Sequence, residues 1–309
     1  MTAAVRGKVW LGLGLIYLTW GSLYLGIRLV VEDAPPMVSM ALRFAGAGAV
    51  MLAFLAARDV RRLRASRRQV LGAFGLGALL LGVGNGMNAF GQVLGVPSGV
   101  TALLCATVPL FVTVLRVMSG RRPHALSLLG VVVGMCGVAY LILGDGAVRE
   151  GSLPAWGVLS VLTAALGWSL GSYFQPRVWR PADVLASTTY QLLGAALFLV
   201  VLSRVMREPL DLDMGATAWG ALVYLIIVGS IVSFTVYQWL LGHAPLELVA
   251  THTYVNPVVA VALGAMVLGE TLGPAVILGG GAVVLSVVLT VVAETRIHAR
   301  DRTGAEVRS

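Results

Sequence analysis

Charge is what this chain lacks most. Only 12% of its 309 residues are Asp, Glu, Lys or Arg, against roughly 25% in a soluble domain. So few charges cannot clothe a water-facing surface of this size, which excludes an ordinary soluble globule. Acids are the scarcer sign, at 14, and none lies clearly within an apolar run, which weighs against a buried carboxylate proton relay. Cysteine is nearly absent. Cys105 and Cys136 both fall inside apolar runs and give neither a disulfide framework nor a metal-ligand cluster; they read as small packing residues. There is no His-Glu-x-x-His zinc motif and no phosphate-cradling Walker loop. The longest internal hydrophilic stretch, near 58–68, is too short for an ATPase. No cofactor and no metal are expected.

What the chain has instead is apolar sequence. Hydrophobic residues make up 58% and the mean hydropathy is +0.89. They come in runs of about 20, the length a helix needs to cross roughly 30 Å of hydrocarbon. Without water in that layer the backbone must bond to itself, so the runs are helices. Ten spans are predicted: 9–31, 37–57, 69–90, 97–118, 125–143, 154–175, 183–203, 216–241, 245–268 and 274–293. The first follows Arg6 and Lys8 but is too long for a signal-peptide core and lacks a small-x-small cleavage site, so it reads as a mature helix.

The net charge of +8 resembles a nucleic-acid signal until its distribution is counted. With the N-terminus in the cytoplasm, seventeen of the 22 basic residues fall on that side, including Arg58, Arg61, Arg62, Arg64, Arg67 and Arg68. Four fall outside (Arg28, Arg149, Arg204 and Arg207), and Arg43 lies within a span. The positive-inside rule accounts for the bias and puts both termini in the cytoplasm. No nucleic-acid partner is expected, and the 58–68 run is a topology determinant with membrane lipid as its natural contact.

Sliding the chain against itself by 148 residues aligns Trp20 with Trp168, Gly46 with Gly194, Gly72 with Gly220, Pro97 with Pro245 and Pro109 with Pro257. Five coincidences at one ungapped offset make an internal repeat. The offset spans five helices, an odd number, so the second copy must enter the membrane upside down. The expected organisation is a repeat over 1–148, an inverted repeat over 149–293 and a basic cytoplasmic tail over 294–309. Inverted repeats of this kind characterise secondary transporters, with the binding site near the midplane between them. Pro97 and Pro245 fall where helices begin, a position that tolerates a missing N–H. Pro109 and Pro257 lie twelve residues further on, roughly 18 Å into the span, where proline kinks a helix. They read either as static bends or as hinges beside the pathway.

Certain residues carry a family resemblance. Trp20-Gly21-Ser22, Tyr24, Arg28, Pro35-Pro36 and Leu42-Arg43-Phe44 are similar to the first two helices of EamA-like proteins of the drug/metabolite transporter superfamily. Tyr254-Val255-Asn256-Pro257-Val258-Val259-Ala260, ending in Leu268-Gly269-Glu270, resembles the ninth. The resemblance covers essentially the whole chain. It implies an all-α membrane fold of ten transmembrane helices in two inverted repeats, and export of small metabolites such as amino acids or drug-like compounds. The first half departs from the pattern at Gly120-Arg121-Arg122-Pro123, so a role for Glu270 is not mirrored there.

Polar groups inside spans are costly and face the bundle interior or a water-filled cavity. Residues three, four or seven apart share a helix face. That spacing groups Asn85, Asn88 and Gln92; Tyr17, Trp20 and Tyr24, with Arg28 one turn on; Trp168, Ser172 and Gln175; Ser230, Ser233 and Tyr237; and His252 with Asn256. The predicted cavity is built from Trp20, Tyr24, Arg43, Asn85, Asn88, Gln92, Trp168, Ser172, Tyr237, His252 and Asn256, and is formed mainly by spans one, three, four, six, eight and nine. For the Asn/Gln stripe, bonding between helices is the plainer reading; for Trp20 and Trp168 it is packing. Arg43 either attracts a substrate carboxylate or pairs with Glu270 while snorkelling outward. His252, opposite Leu104 in the repeat, is either a satisfied buried histidine or a group that handles a proton or substrate. Glu247, in the first turn after Pro245, reads as a helix cap.

Gly167-Trp168-Ser169-Leu170-Gly171 matches the Gly-x-Ser-x-Gly nucleophile elbow. It lies inside an apolar helix rather than at a strand-to-helix turn, which leaves a serine hydrolase pairing Ser169 with His252 a remote alternative. A flippase or passive facilitator for a lipid-linked or polar solute is compatible with the same fold. The favoured expectation is an inner-membrane exporter whose halves rock around a central cavity, with a small-molecule substrate and a proton as one candidate coupling ion. The 38 glycines suit packing within or between chains, so the oligomeric state stays open.

Overall fold

The computed structural model describes residues 3–120, 125–143, 153–244, 249, 252–270, 273–286, 288–289 and 292. Among these the only regular structure is helical. In chain order, α1 is Ala3–Val31, α2 Pro36–Asp59, α3 Arg67–Val93, α4 Ser98–Met118 and α5 Ala125–Leu143. Then follow α6, Ala155–Phe174, α7, Val184–Val205, α8, which starts at Ala216 and ends at His243, α9, His252–Leu268, and α10, Pro274–Ser286. Seven of these (α1–α4 and α6–α8) are long and apolar enough to cross a membrane, and shorter apolar helices cover Leu128–Tyr140, Val255–Leu268 and Pro274–Ser286. Pro245, Glu247, Arg121–Pro123, Arg149 and the tail 294–309 lie outside the described residues, as does the expected boundary between the repeats.

The helices begin and end where the sequence provides for it. Pro36, Ser98 (after Pro97) and Ala155 (after Pro154) open α2, α4 and α6, using proline where no N–H is needed. Ser66 and Gln69 form a reciprocal capping box at α3. Gly95, at φ +99°, ends α3 and lets the Val96 N–H turn back to the Gly91 carbonyl, a Schellman stop that favours glycine.

Packing follows the repeat. α3 lies on α6 and α8 on α1; α9 lies on α1 and α4 on α6; α3 lies on α7 and α8 on α2; α2 meets α7 and α4 meets α9. Each contact recurs when every helix is replaced by its counterpart five places away, as a two-fold relation between the halves requires. Two further features obey that relation. Ala78–Val83 in α3 and Leu225–Ser233 in α8 are wound as π-helix, and they overlap at the 148-residue offset.

The outward faces are apolar. Leu11, Trp156, Met266 and Ile277 are each more than half exposed, a surface that suits lipid and would be an aggregation hazard in water.

Both ends of the bundle are tied across the halves. At one end the Glu208 carboxylate accepts the Met37 and Val38 N–H groups at 3.0 Å each, capping α2. Asp33 accepts the Gly215 N–H at the start of α8 at 2.9 Å, and Glu270 accepts those of Ser98 and Gly99 at the start of α4 at 2.7 and 3.1 Å. At the other end Arg62 pairs with Asp183 at 2.7 Å, and Asp183 caps α7 through the Ala186 N–H at 3.0 Å. Partial burial raises the Asp183 carboxyl, but the Ala186 N–H, Arg62 and the Leu185 N–H outweigh it and hold it below its usual value. A depressed carboxyl stabilises the fold above its unfolded value, ~3.9, and loses that contribution as pH falls through the folded one. Asp183→Ala is therefore expected to lower stability by about 1 kcal/mol at neutral pH. That gap should close on acidification below the carboxyl's folded value, as read by melting of parent and variant side by side.

Candidate functional site

Midway along the bundle the halves leave a cavity of about 970 Å³, open mouth included. Its wall takes in Trp20, Tyr24, Arg43, Asn85, Asn88, Trp168, His252 and Asn256, eight of the eleven residues predicted from sequence. Gln92, Ser172 and Tyr237 stand off that wall. Gln92 is fully buried one turn beyond Asn88 and donates to its Oδ1 at 3.0 Å, so the stripe serves helix bonding as well as lining. Tyr237 sits behind Trp20, ring centroids 4.9 Å apart. Ser172 is half-buried on α6, a turn past Trp168.

Trp20 is the hub of an aromatic cluster contributed by both halves. It meets its repeat mate Trp168 edge-on at 6.2 Å and His252 edge-on at 4.8 Å, separations at which such pairs attract. It is 8% exposed, whereas Trp10, Trp156, Trp179 and Trp219 are exposed on the periphery, where anchors are expected. His252 Nδ1 lies 3.3 Å from Asn256 Nδ2.

The carbonyl preceding each repeated proline faces the first helix of the other half. Ser169 on α6 donates to the Val108 carbonyl at 3.2 Å and to the Ala165 carbonyl at 2.6 Å. At the mirrored position on α1, a β-carbon on Gly21 would lie 3.1 Å from the Asn256 carbonyl and 2.6 Å from Val259 Cβ. Ser169 is thus a buried helix-packing residue whose hydroxyl is taken by carbonyls, and the nucleophile-elbow pattern has no elbow. α4 is interrupted between Cys105 and Val108, just before Pro109, while α9 continues through Pro257. Val108 and Pro257 are on the wall; Pro109 is one residue beyond it.

Arg43 is held by the π-wound segment of α8 and by the turn of α3 that follows its own π-wound segment. Its Nε donates to Ser230 Oγ at 3.0 Å and its Nη1 to Asn85 Oδ1 at 3.2 Å. Ser230 in turn donates to the Leu225 carbonyl five residues back, at 3.0 Å, and Ser233 to that of Val228 at 2.6 Å. These are carbonyls that π winding makes available. A β-carbon on Gly229 would stand 3.1 Å from Arg43 Nη2, so the missing side chain makes room for the guanidinium. The expected alternative pairing of Arg43 with Glu270 is not formed, because Glu270 is engaged as the α4 cap. Arg28, too, is committed, to Glu32 at 2.8 Å and to the Gln92 carbonyl at 2.8 Å.

Sequence reasoning missed several wall residues. Ser230 stood in a recognised stripe but was left out of the cavity. Phe44, Phe234, Leu23 and Ile27 give the wall its apolar surface, and Cys105 lines it too, beside Asn88 Nδ2 at 3.8 Å. Nothing distinguishes these in sequence from packing residues. The described residues contain no group of His, Cys, Asp and Glu that could hold a metal ion.

The chain matches the EamA-like transporter family over residues 8–143 and again over 155–292, one match to each half. The uncharacterized inner membrane transporter YedA of Escherichia coli K12 is 35% identical over 274 residues, covering 89% of this chain and 87% of that one. The uncharacterized transporter YoaV of Bacillus subtilis is 27% identical, covering 88% and 92%. A probable amino-acid metabolite efflux pump of Escherichia coli K12 is 26% identical, covering 84% and 86%. A solved crystal structure at 21% identity superposes with a TM-score of 0.62 over 94% of this chain and 99% of that one, a likeness of fold. The matched halves, the apolar helices and the cavity between them agree: the chain is a membrane transporter of the EamA-like family.

Proposed function

We propose that the protein exports small metabolites across the inner membrane by alternating access, through ten crossings arranged as inverted repeats over 1–148 and 149–293. The observation that carries this is the cavity lined from both halves at the level of the repeated prolines. A two-fold arrangement can expose such a cavity to one side or the other by exchanging the conformations of its halves. The end of the bundle rich in Arg58, Arg61, Arg62, Arg64, Arg67 and Arg68 is the cytoplasmic one, with both termini there, and the end tied by Glu208, Asp33 and Glu270 is the outer one. Pro109 and Pro257 act as the hinges, and the eight wall residues named above contact the substrate. Inner-membrane location and outward flux follow the names of the relatives, one an inner membrane transporter and one an amino-acid metabolite efflux pump.

His252 is the group suited to handle a proton, if that is the coupling ion, because among the described residues no Asp or Glu lines the cavity. The test is counterflow in proteoliposomes with a labelled panel of amino acids, other carboxylic acids and cationic drugs, with and without a pH gradient. Saturable counterflow of one solute class is expected, and a response to the gradient that His252→Ala abolishes would establish proton coupling. Silence across the panel, from protein shown to be monodisperse, would contradict the transport reading.

A further inference from the structure

Among the described residues Arg43 is a buried cation with no anion beside it. It is 3% exposed, it lines the cavity, and among the described residues no carboxylate lies within salt-bridge distance of it; the two ion pairs are Arg28–Glu32 and Arg62–Asp183. The acids nearest its end of the bundle are already committed: Glu32 to Arg28, Asp33 to Gly215, Glu208 to α2 and Glu270 to α4. Its hydrogen bonds go to neutral atoms, the oxygens of Ser230 and Asn85 and, at 3.9 Å, the Met40 sulfur, and the Phe44 ring centroid lies 4.9 Å from the guanidinium carbon; these orient the guanidinium and supply no counter-charge.

A buried charge without a counter-charge is expensive, and in a membrane span it marks a substrate or ion pathway. The repeat sharpens the point. The position mirroring Arg43 is Gln191, buried at 1% exposure, bonded to Ser187 and absent from the wall. The same helix face is therefore packed in the second half with a neutral amide, and packing does not require the charge. Beyond the neutral polar groups already named, the wall offers an apolar and aromatic surface from Phe44, Phe234, Trp20, Trp168, Leu23 and Ile27.

Resting on the transport reading above, we propose that the cavity selects organic monocarboxylates with an apolar or aromatic body, the carboxylate seated on Arg43. One cation specifies one negative charge. The aromatic wall takes the body. Among the described residues no acid lines the wall to balance a substrate ammonium. The ammonium meets only neutral acceptors such as Asn256 Oδ1 and the aromatic faces while sharing the cavity with the Arg43 charge, so an amine is disfavoured and a zwitterion is handicapped relative to the plain acid.

The test uses four compounds on one skeleton: 3-phenylpropionate, phenylalanine, phenethylamine and 3-phenylpropionamide. Melting shifts of the purified protein and counterflow in proteoliposomes are measured for each. The carboxylate is expected to bind at least about tenfold more tightly than the amine or the amide, the scale of one charge-assisted hydrogen-bond pair, with phenylalanine between. Arg43→Gln, which copies the residue at the mirrored position, should erase the ranking while the protein stays monodisperse, and Arg43→Lys should keep part of it. Preference for the amine or the zwitterion would overturn the proposal while leaving transport intact, as would an unchanged ranking in a folded Arg43→Gln. If Arg43→Gln fails to fold, the ranking in the parent and in Arg43→Lys decides. Neither a melting shift nor counterflow with any of the four would overturn both this assignment and the transport reading for solutes of this size.

Discussion

Gly77→Ala is expected to abolish accumulation of folded protein, whereas Gly220→Ala is expected to be neutral or slightly stabilising. A β-carbon at Gly77 would fall far inside van der Waals contact distance of the Gln191 carbonyl oxygen, with the carbonyl carbon and Cα of Gln191 at 2.6 and 2.7 Å. All three atoms are backbone, so no rotamer relieves the clash. The contact is reciprocal: a β-carbon on Gly194 would overlap Phe74 Cα and stand 2.6 Å from the Phe74 carbonyl oxygen. α3 and α7 belong to different halves, and with no hydrophobic drive between helices in lipid their association relies on such close backbone approach. Forcing them apart costs more than about 4 kcal/mol, the exceptional end of single-residue effects. Gly220 is also helical but has nothing within 4 Å of its would-be β-carbon, so alanine there changes only helix propensity, by at most ~1 kcal/mol in its favour. Size-exclusion profiles and melting of the two variants check both signs. A monodisperse Gly77→Ala melting with the parent would mean that α3 and α7 do not cross as described.

The contrast between these glycines shows how far the repeat could be read. At the 148-residue offset, Gly46 and Gly194 do equivalent work: Gly46 lets α2 approach Ile226 of α8, with 3.2 Å from its would-be β-carbon to Ile226 Cδ1, and Gly194 lets α7 approach α3. Trp20 and Trp168 meet each other across the axis. Gly72 and Gly220 align equally well in sequence, yet only Gly72 is in contact, against Trp179. An offset finds related positions, not the neighbours each has acquired.

The helical runs were legible because burial in lipid imposes a length and a hydropathy that nothing else does. Most of the cavity was legible because polar residues in spans are few. What escaped depends on tertiary geometry. The π-wound segments have no sequence signature, yet the one in α8 places Ser230 and Gly229 beside Arg43, and the one in α3 directly precedes the turn that carries Asn85. Glu270 and Glu208 look like loop acids until their helix-capping partners arrive from the other half. Gln92, Ser172 and Tyr237 share faces with wall residues on an ideal helix, but the cavity is short along the helix axes and they lie beyond its reach.

The second large effect is a reversible block. If the halves rock as proposed, the ends of α1 and α8 that Asp33 and Gly215 join must part in each cycle. Asp33 and Gly215 join them now through the 2.9 Å hydrogen bond, and a β-carbon on Gly215 would lie 3.3 Å from an Asp33 carboxylate oxygen, so cysteines at the two positions would face each other, as a disulfide needs. Cys105 and Cys136 would first be replaced by serine, and the single variants Asp33→Cys and Gly215→Cys would report any cost of losing the cap itself. Counterflow through the oxidised Asp33→Cys/Gly215→Cys protein is the measurement that tests alternating access most directly. The account predicts that transport falls to the leak of empty vesicles on oxidation and returns on reduction, while the oxidised single variants keep working. Unimpaired counterflow in protein shown to be fully bridged would contradict it.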